Sequence, residues 1–380
     1  MPSLLDLPDE LLVQVIDDAV PTAMGSEDDH KERCRTLLAV MLTSKRPHAL
    51  ALPLLYRVLR VTESRFRPIM AARKGAEGRT YPSARTLVCD GEGDARLAAD
   101  LLSFAVAAAP RVSDMRVYRC GDIALAELQA LSALTSLTLY NILNTTVDPG
   151  HVQSLRLPHV IDLSLSYLYC TQSGVAAFLS SATFPSLRHV SFGWMWITDD
   201  NGAGIATMEV VPLICPALLA QLRSLRCWHA SHSSDFSFPH SLQVLHDVSA
   251  GVQERGQPSY ARLAQSSHLA LLSRGLIFPD HFPLDRTRLA NAKGALKKMA
   301  ASLSRVADGA RPPLKLVLLD SDLLEHPDAI AELKPTMDAF LEACKAAEVE
   351  VIVQGTPQYG FESLVSKRFI RWCEEKYGTQ

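Results

Sequence analysis

The sequence lacks any long uninterrupted hydrophobic run. No apolar stretch approaches the roughly 18 residues that a membrane-spanning helix needs, and one of the longest, residues 101–109, is interrupted by Ser103. The first residues carry Asp6, Asp9 and Glu10 where a secretory signal would carry basic side chains ahead of an apolar segment. We therefore expect neither a membrane span nor a signal peptide.

Disulfide and zinc frameworks are missing as well. The eight cysteines are widely and unevenly spaced, and no two of them form a C-x-x-C pair. A disulfide scaffold or a structural zinc site would show tighter, repeated spacing. We therefore expect buried, reduced thiols in a reducing intracellular compartment, with no bound metal or other cofactor.

The sequence carries no strong excess of charge. There are 38 basic and 41 acidic side chains, giving a net charge of -3 at pH 7, so the chain as a whole has no field to recruit nucleic acid or an anionic membrane. Basic residues cluster between positions 65 and 79, and we interpret them as part of a charged linker over residues 63–83. Neither nucleic acid nor membrane is expected as a partner.

Motifs that carry catalysis are absent. There is no P-loop, no G-x-S-x-G elbow and no H-E-x-x-H pair. One cluster resembles a set of metal ligands: Cys227, His229, His232 and Asp235. No second pair of ligands completes a zinc site. A simpler interpretation is that these are polar residues at the end of a strand. The acidic stretch 90–94 lacks calcium-loop spacing and is interpreted as a solvated turn. An α/β hydrolase or transferase would need a nucleophile and a base that we do not find, so we expect no enzymatic activity and no catalytic residue.

What the sequence does contain begins with about sixty residues of helical pattern. Leu4, Leu7, Leu11 and Val15 recur at three- and four-residue spacing, which predicts an amphipathic helix. A second helix is predicted from about position 34 to 45, and a third, interrupted by a proline, precedes a β-branched strand at 57–62. We place the boundary of this helical domain at residues 1–62.

Leucine is abundant beyond residue 80 and follows a repeated pattern. The chain contains 56 leucines, and clusters of the form apolar-x-x-apolar-x-apolar begin at Ala84, Val112, Leu134, Val160, Leu187, Leu222, Leu242, Leu314 and Val349. The first five starts lie 28, 22, 26 and 27 residues apart, a period typical of leucine-rich repeats. A doubly wound α/β domain is the alternative, but its central strands would be apolar on both faces, whereas Thr138, Asp162 and Ser164 lie between the leucines. The prediction is an α/β solenoid, or horseshoe, of irregular repeats over 84–358, closed by a capping helix at 359–380.

Three segments of the helical domain carry a more specific signal. Residues 7–16, LPDELLVQVI, resemble the opening of the F-box motif, and residues 37–46, LLAVMLTSKR, resemble its second helix. Residues 53–58, PLLYRV, are similar to the third helix as it runs into the first strand in fungal F-box proteins with leucine-rich repeats. The resemblance implies an N-terminal three-helix F-box-like domain ahead of the repeats.

The resemblance also implies a function. The chain would be the substrate-recognition subunit of an SCF-type cullin-RING ubiquitin ligase, cytoplasmic or nuclear, with the F-box docked on a Skp-type adaptor and the repeats holding an unknown target protein. The helical residues expected to divide between the domain core and the adaptor surface are Leu7, Pro8, Glu10, Leu11, Ile16, Leu38 and Leu42. The alternative is a repeat-based interaction scaffold with no link to ubiquitin ligases, and adaptor binding discriminates the two.

Side-chain alternation in the repeats predicts where a target would bind. The residues between the apolar positions of each cluster, and those directly after it, should share the face opposite the core. The candidates on this face are Tyr140, Asp162, Tyr167, His189, Trp194, Arg226, Trp228 and His229. Aromatic side chains near an arginine are typical of interface hot spots, but Trp194, Trp196 and Trp228 could instead fold inward beneath the loop at 199–204.

Overall fold

The structure is a computed structural model of the chain. It describes residues 7–20, 27–62, 80–91, 103, 106–120, 125–142, 154–193, 195–199, 204–205, 213–227, 239, 241–247, 271–276, 286–306, 316–321 and 327–354. The chain divides into two compact units, residues 1–160 and 161–380. The predicted linker beyond residue 62 up to residue 79 and the predicted capping helix at 359–380 lie outside the described residues.

The first unit begins with three helices, as the apolar spacing predicts, although the second begins at residue 27 rather than about 34 and ends at residue 41 rather than 45. They are α1 (Asp9–Ala19), α2 (Glu27–Met41) and α3 (Lys45–Leu55). The α1 helix starts directly after Pro8, with the carboxylates of Asp9 and Glu10 in its first turn, where they interact favourably with the positive end of the helix dipole. The three helices share a hydrophobic core built from Leu12, Ile16, Val20, Leu37, Ala51 and Leu54.

An ion-pair cluster holds the three helices together on one side. Asp17 of α1 accepts a hydrogen bond from the Arg33 guanidinium of α2 at 2.7 Å and one from Arg57, just after α3, at 3.0 Å. The Arg33 side chain is almost fully buried. A buried guanidinium is stable only when its charge is compensated, so Asp17 is what permits Arg33 to occupy this position.

The first unit continues as a parallel sheet whose strands follow chain order. These are β1 (Val58–Thr62), β2 (Thr86–Asp90), β3 (Asp114–Tyr118) and β4 (Ser136–Tyr140), and each pairs with the next in parallel. Leu87, Met115 and Leu137 occupy equivalent register positions and are fully buried. A doubly wound sheet would reverse its strand order, and these strands do not, so the repeat prediction is confirmed here. Since β1 pairs with β2, it belongs to the sheet and not to the helical domain in which the sequence boundary placed it.

A repeated backbone turn follows the strands. Arg119 and Asn141 come directly after β3 and β4 and have φ angles of 50° and 51°, and Tyr167 in the second unit, directly after Ser166, has a φ of 53°. Non-glycine residues seldom adopt this left-handed conformation. Its recurrence at the same point of successive repeats shows that the chain leaves each of these strands through the same kink.

The second unit contains a longer parallel series in chain order. Its strands are β5 (Asp162–Ser166), β7 (His189–Phe192), β10 (Ser224–Cys227), β11 (Val244–Asp247), β12 (Leu271–Leu276), β13 (Leu316–Ser321) and β14 (Glu350–Gln354). The helices between them are α4 (Gln172–Phe178), α5 (Pro216–Leu219), α6 (Arg286–Val306) and α7 (Pro327–Ala346). The sequence pattern missed β12.

A small second sheet in this unit was not predicted. It consists of β6 (Leu168–Thr171), β8 (Met195–Thr198) and β9 (Gly204–Ile205), with β6 and β8 parallel and β9 antiparallel to β8. One side of this sheet is buried and carries the side chains of Leu168, Cys170, Met195 and Ile197. Because side chains alternate along a strand, Tyr169 and Trp196 lie on the other side.

The two long helices of the second unit are amphipathic. In α6, the buried side chains recur with helical spacing at Leu289, Ala292, Leu296, Met299 and Leu303. The α6 and α7 helices pack together, and the ammonium of Lys293 pairs with the Glu332 carboxylate at 2.6 Å. Among the residues that the structure describes, no helix is both long and apolar enough to cross a membrane.

Candidate interaction surfaces

The helical domain exposes several large apolar side chains. Leu42 is 87% exposed, Leu11 is 49% exposed and Leu38 is 47% exposed, and Val15, one turn beyond Leu11 on α1, is also exposed. Single exposed leucines are ordinary. Several on neighbouring helices of a domain that already has its own core are typical of a surface that a partner covers.

The predicted adaptor residues divide between surface and core. Pro8 and Glu10 are exposed and Leu7 is half-buried, so they lie with Leu11 at or near the surface. Ile16 is only 6% exposed and belongs to the hydrophobic core, because it shares the α1 face of Leu12. Ile16 is therefore removed from the set that could contact a partner.

The start of α1 and the loop after α2 are held close to one another. Arg46, in the first turn of α3, donates from Nε to the Asp9 carboxylate at 2.8 Å and from Nη2 to the Leu7 carbonyl oxygen at 2.6 Å. Leu42 lies four residues before Arg46. We name the exposed apolar residues of α1 and α2, together with the segment before α1, the helical-domain surface: Leu7, Pro8, Leu11, Val15, Leu38 and Leu42.

On the sheet of the first unit, the side of the strands opposite the core is polar. We call it the polar face; its strand residues are Val58, Arg60, Thr62, Thr86, Val88, Asp90, Asp114, Arg116, Tyr118, Ser136, Thr138 and Tyr140. Tyr140 lies on this face as predicted, and its ring centroid is 5.9 Å from that of Tyr118 on the neighbouring strand.

Charged side chains on this face pair with one another. Arg119 donates from Nε and Nη2 to the two oxygens of Asp90 at 3.0 and 2.7 Å. Arg116 donates to Asp114 at 3.3 Å, and the Ser136 hydroxyl donates to the other oxygen of the same carboxylate at 3.0 Å. Asp90 was expected in a solvated turn, but it is the last residue of β2 and is buried, because Arg119 compensates its charge. Glu92 to Asp94 lie outside the described residues.

The corresponding face of the parallel strands in the second unit holds three of the predicted target residues, Asp162, His189 and Arg226. Asp162, His189 and Ser224 are aligned on neighbouring strands, and the Nδ1 atom of His189 lies 2.8 Å from the Ser224 hydroxyl. Arg226 is half-buried on the same face. Asp162 and Ser224 are almost fully buried, so their side chains offer little area for contact with a partner.

Three aromatic rings form a cluster on the small sheet. The rings of Tyr169 and Trp196, which are paired in register on β6 and β8, stack with a centroid distance of 4.5 Å and an interplanar angle of 4°. Tyr167 lies 5.7 Å from Trp196. Tyr169 is 43% exposed and Trp196 is half-buried, so Trp196 is not folded inward. We call these three residues the aromatic cluster; Trp194, Trp228 and His229 lie outside the described residues.

Below the aromatic cluster, β5 and β7 approach each other closely. Gly193 aligns with Ser166, and a Cβ atom placed on Gly193 would lie 2.6 Å from the Ser166 Cβ, a distance that side-chain contacts do not reach. The Ser166 hydroxyl is buried and makes no hydrogen bond. Glycine is therefore required at position 193 for this spacing of the strands.

Four of the six described cysteines are buried free thiols, as predicted, whereas Cys34 and Cys215 are half-buried. Cys34, Cys89, Cys120, Cys170, Cys215 and Cys344 are free. Burial raises the pKa of Cys170 and that of Cys344 to about 12, and it raises the pKa of Cys89 further. Thiols with raised pKa values are poor nucleophiles and poor metal ligands. No group of metal-ligating side chains occurs among the described residues; His229, His232, Asp235 and the side chain of Cys227 lie outside them.

Sequence reasoning did not single out Arg60, Arg119 or the pairing of Tyr169 with Trp196. The repeat register offered a signal for the pairing of Asp90 with Arg119. Aligning the clusters at 84 and 112 places Asp90 opposite Tyr118, the residue directly before Arg119. The small sheet gave none, because each of its strands is only two to four residues long.

No protein-family model matches this sequence, and neither does any curated protein. Among solved structures, the chain is similar to the crystal structure of the leucine-rich repeat-containing protein LegL7 from Legionella pneumophila. The TM-score is 0.45 at 17% sequence identity, over 84% of this chain and 98% of that one. It is the strand pairing in chain order, rather than this likeness, that identifies stacked repeats in each unit.

Proposed function

We propose that this protein is a non-catalytic recognition subunit that docks a Skp-type adaptor through its helical domain and holds a target protein on its leucine-rich repeats. In an SCF-type cullin-RING ligase such a subunit acts by positioning, since bringing the target close to the charged conjugating enzyme raises its effective concentration. No residue of this chain would take part in covalent chemistry.

The observation that carries the proposal is the helical-domain surface. Leu11 on α1, Leu38 on α2 and Leu42 directly after α2 are exposed. The same two helices bury Leu12 and Leu37 completely or nearly so. Recognition between helices commonly uses apolar anchors at such spacing, laid into a hydrophobic groove of the partner. The F-box resemblance of residues 7–16 and 37–46 covers this same surface.

The repeats supply the second part of the proposal. Stacked strands present a row of side chains at fixed spacing, and such surfaces are the usual binding faces of repeat proteins. The aromatic cluster adds ring area that is rich in binding free energy at interfaces. Tyr140, Tyr167, His189 and Arg226 are the described residues of the predicted set that keep side-chain exposure for a target.

The test of adaptor docking is a pair of leucine substitutions at the end of α2 and directly after it. The variant Leu38→Ala with Leu42→Ala should lose about 2 to 4 kcal/mol of adaptor binding, as central anchors do. Its free energy of unfolding should stay nearly unchanged, because both side chains are exposed in the free protein. Isothermal titration calorimetry with a purified Skp-type adaptor measures the first quantity, and chemical denaturation measures the second.

Two controls make the result specific. Leu52→Ala removes an exposed leucine from α3, outside the helical-domain surface, and should leave adaptor binding unchanged. Leu37→Ala removes a fully buried side chain and should cost about 2 to 5 kcal/mol of stability. Full-length protein that binds no adaptor would leave the repeat-based interaction scaffold, without a ubiquitin-ligase role, as the explanation of the fold.

A further inference from the structure

A guanidinium with almost no compensating partner lies on the polar face of the first unit. The Arg60 side chain is 13% exposed. Its single polar contact with a described residue is from Nη2 to the Asp90 carboxylate at 3.5 Å, the outer limit of hydrogen-bond distance. Its Nε is buried and has no hydrogen-bond partner.

Asp90 is shared between Arg60 and Arg119, and Arg119 holds the shorter contacts with it. Both of its oxygens already accept short hydrogen bonds from Arg119 in the planar, two-point geometry in which guanidinium and carboxylate groups bind most strongly. Arg119 therefore neutralises Asp90. Arg60 is left as a positive charge that has been largely removed from water without a strong partner, which is unfavourable in the free protein.

Among the described residues, the other charges of this face pair with one another rather than with Arg60. Arg116 is paired with Asp114, whose second oxygen accepts from Ser136. The described side chains of the polar face thus include three arginines, Arg60, Arg116 and Arg119, against two aspartates. Of the three, Arg60 makes the longest contact with a carboxylate, at 3.5 Å against 3.3 Å for Arg116 and 2.7 Å for Arg119.

The surroundings of Arg60 suit a ligand that brings its own carboxylate. Val88, directly beside Arg60 in the register, is buried, so the charge is flanked by apolar surface in which a charge-assisted hydrogen bond is strong. Tyr118 and Tyr140, on β3 and β4, are in register with Asp90 and not with Arg60, so their half-buried rings lie farther along the same face. The same face therefore offers a partner segment an arginine on β1 and aromatic side chains on β3 and β4, residue types that are enriched at binding hot spots.

We propose that Arg60 is the anchor of a carboxylate-binding site, and that the segment held on the polar face of the first unit is an acidic, Asp- or Glu-containing stretch of a partner protein. The inference rests on the proposed function in one respect, that the polar face of the repeats is where a target binds. It does not depend on the adaptor.

The experiment uses the full chain and a fluorescently labelled peptide of alternating glutamate and glycine, with a glutamine–glycine peptide as the neutral probe. Fluorescence anisotropy should show binding of the glutamate peptide at least about tenfold tighter than that of the glutamine peptide. Arg60→Met keeps the length of the side chain and removes the guanidinium. It should weaken binding of the glutamate peptide about 10- to 100-fold.

The melting temperature separates a binding role from a structural one. Because Arg60 is poorly compensated in the free protein, Arg60→Met should melt at the same temperature as the wild type or higher. Arg111→Met removes the same charge from an exposed turn before β3 and should change peptide binding less than about twofold. The proposal is overturned if both peptides bind equally, if Arg60→Met binds the glutamate peptide as the wild type does, or if only a phosphopeptide binds. Loss of adaptor binding, by contrast, would overturn the ligase role and leave this site standing.

Discussion

The close approach of β5 and β7 at Gly193 gives a quantitative test of the strand register below the aromatic cluster. In Gly193→Ala, the new Cβ would lie 2.6 Å from the Ser166 Cβ and 3.4 Å from its Cα. Rotation of the serine hydroxyl cannot relieve the contact between the two Cβ atoms, so the strands must move apart. Overpacking of this kind costs about 1 to 3 kcal/mol.

The partner substitutions resolve which atoms cause the cost. Ser166→Ala alone should be neutral or slightly stabilising, since it removes a buried hydroxyl that has no hydrogen-bond partner. In that background Gly193→Ala should still be destabilising, because the alanine retains its Cβ. Ser166→Gly alone should cost about 0.5 to 1 kcal/mol, as glycine does inside a strand. In the Ser166→Gly background, Gly193→Ala should cause almost no further loss of stability.

The assay is urea denaturation followed by circular dichroism for the wild type, the three single variants and the two double variants. The coupling free energy between Gly193→Ala and Ser166→Gly should be about 1 to 3 kcal/mol in favour of the double variant. An equal cost of Gly193→Ala in all three backgrounds would refute the register of β5 and β7.

Two further predictions concern stability. Asp17→Asn should cost about 2 to 4 kcal/mol in chemical denaturation, because it removes the carboxylate that pairs with the buried Arg33 guanidinium at 2.7 Å. A loss below about 0.5 kcal/mol would contradict the ion-pair role. The raised pKa of Cys170, about 12 against 9.0 for the free thiol, means that the unfolded chain releases this proton at lower pH than the folded one. The contribution of the protonated Cys170 thiol to stability should therefore be constant below pH 9 and fall as the pH rises towards 12. Native Cys170 should also resist alkylation at pH 8. Rapid labelling of Cys170 in the native protein would contradict its burial.

The parts of the fold that could be predicted from the sequence are those that local patterns encode. The alternation at Leu137 and Leu139 predicts β4, because period two with polar residues between leucines fits only a strand buried on one side. The three helices of the first unit follow from three- and four-residue spacing in the same way. The β12 strand has no such pattern, since Arg274 and Gly275 interrupt its apolar residues.

The candidate sites depend on contacts that no local pattern encodes. Asp90 is buried because Arg119, 29 residues later, reaches back to it, and Arg60 contacts it from 30 residues earlier. Ile16 and Leu11 are both apolar residues of α1, yet one is core and the other surface. Only the packing of α1 against α3 decides between them, and a single sequence does not contain that packing.

Hydrogen–deuterium exchange of the full chain, with and without a saturating Skp-type adaptor, tests the central proposal most directly. The proposal predicts slower amide exchange in peptides covering residues 7–20 and 36–46, which carry the helical-domain surface. Exchange in β2, β3 and β4 should not change, because the adaptor does not contact the polar face. Unchanged exchange in both helical segments, with adaptor present at about 50 μM, would contradict adaptor docking through the helical domain.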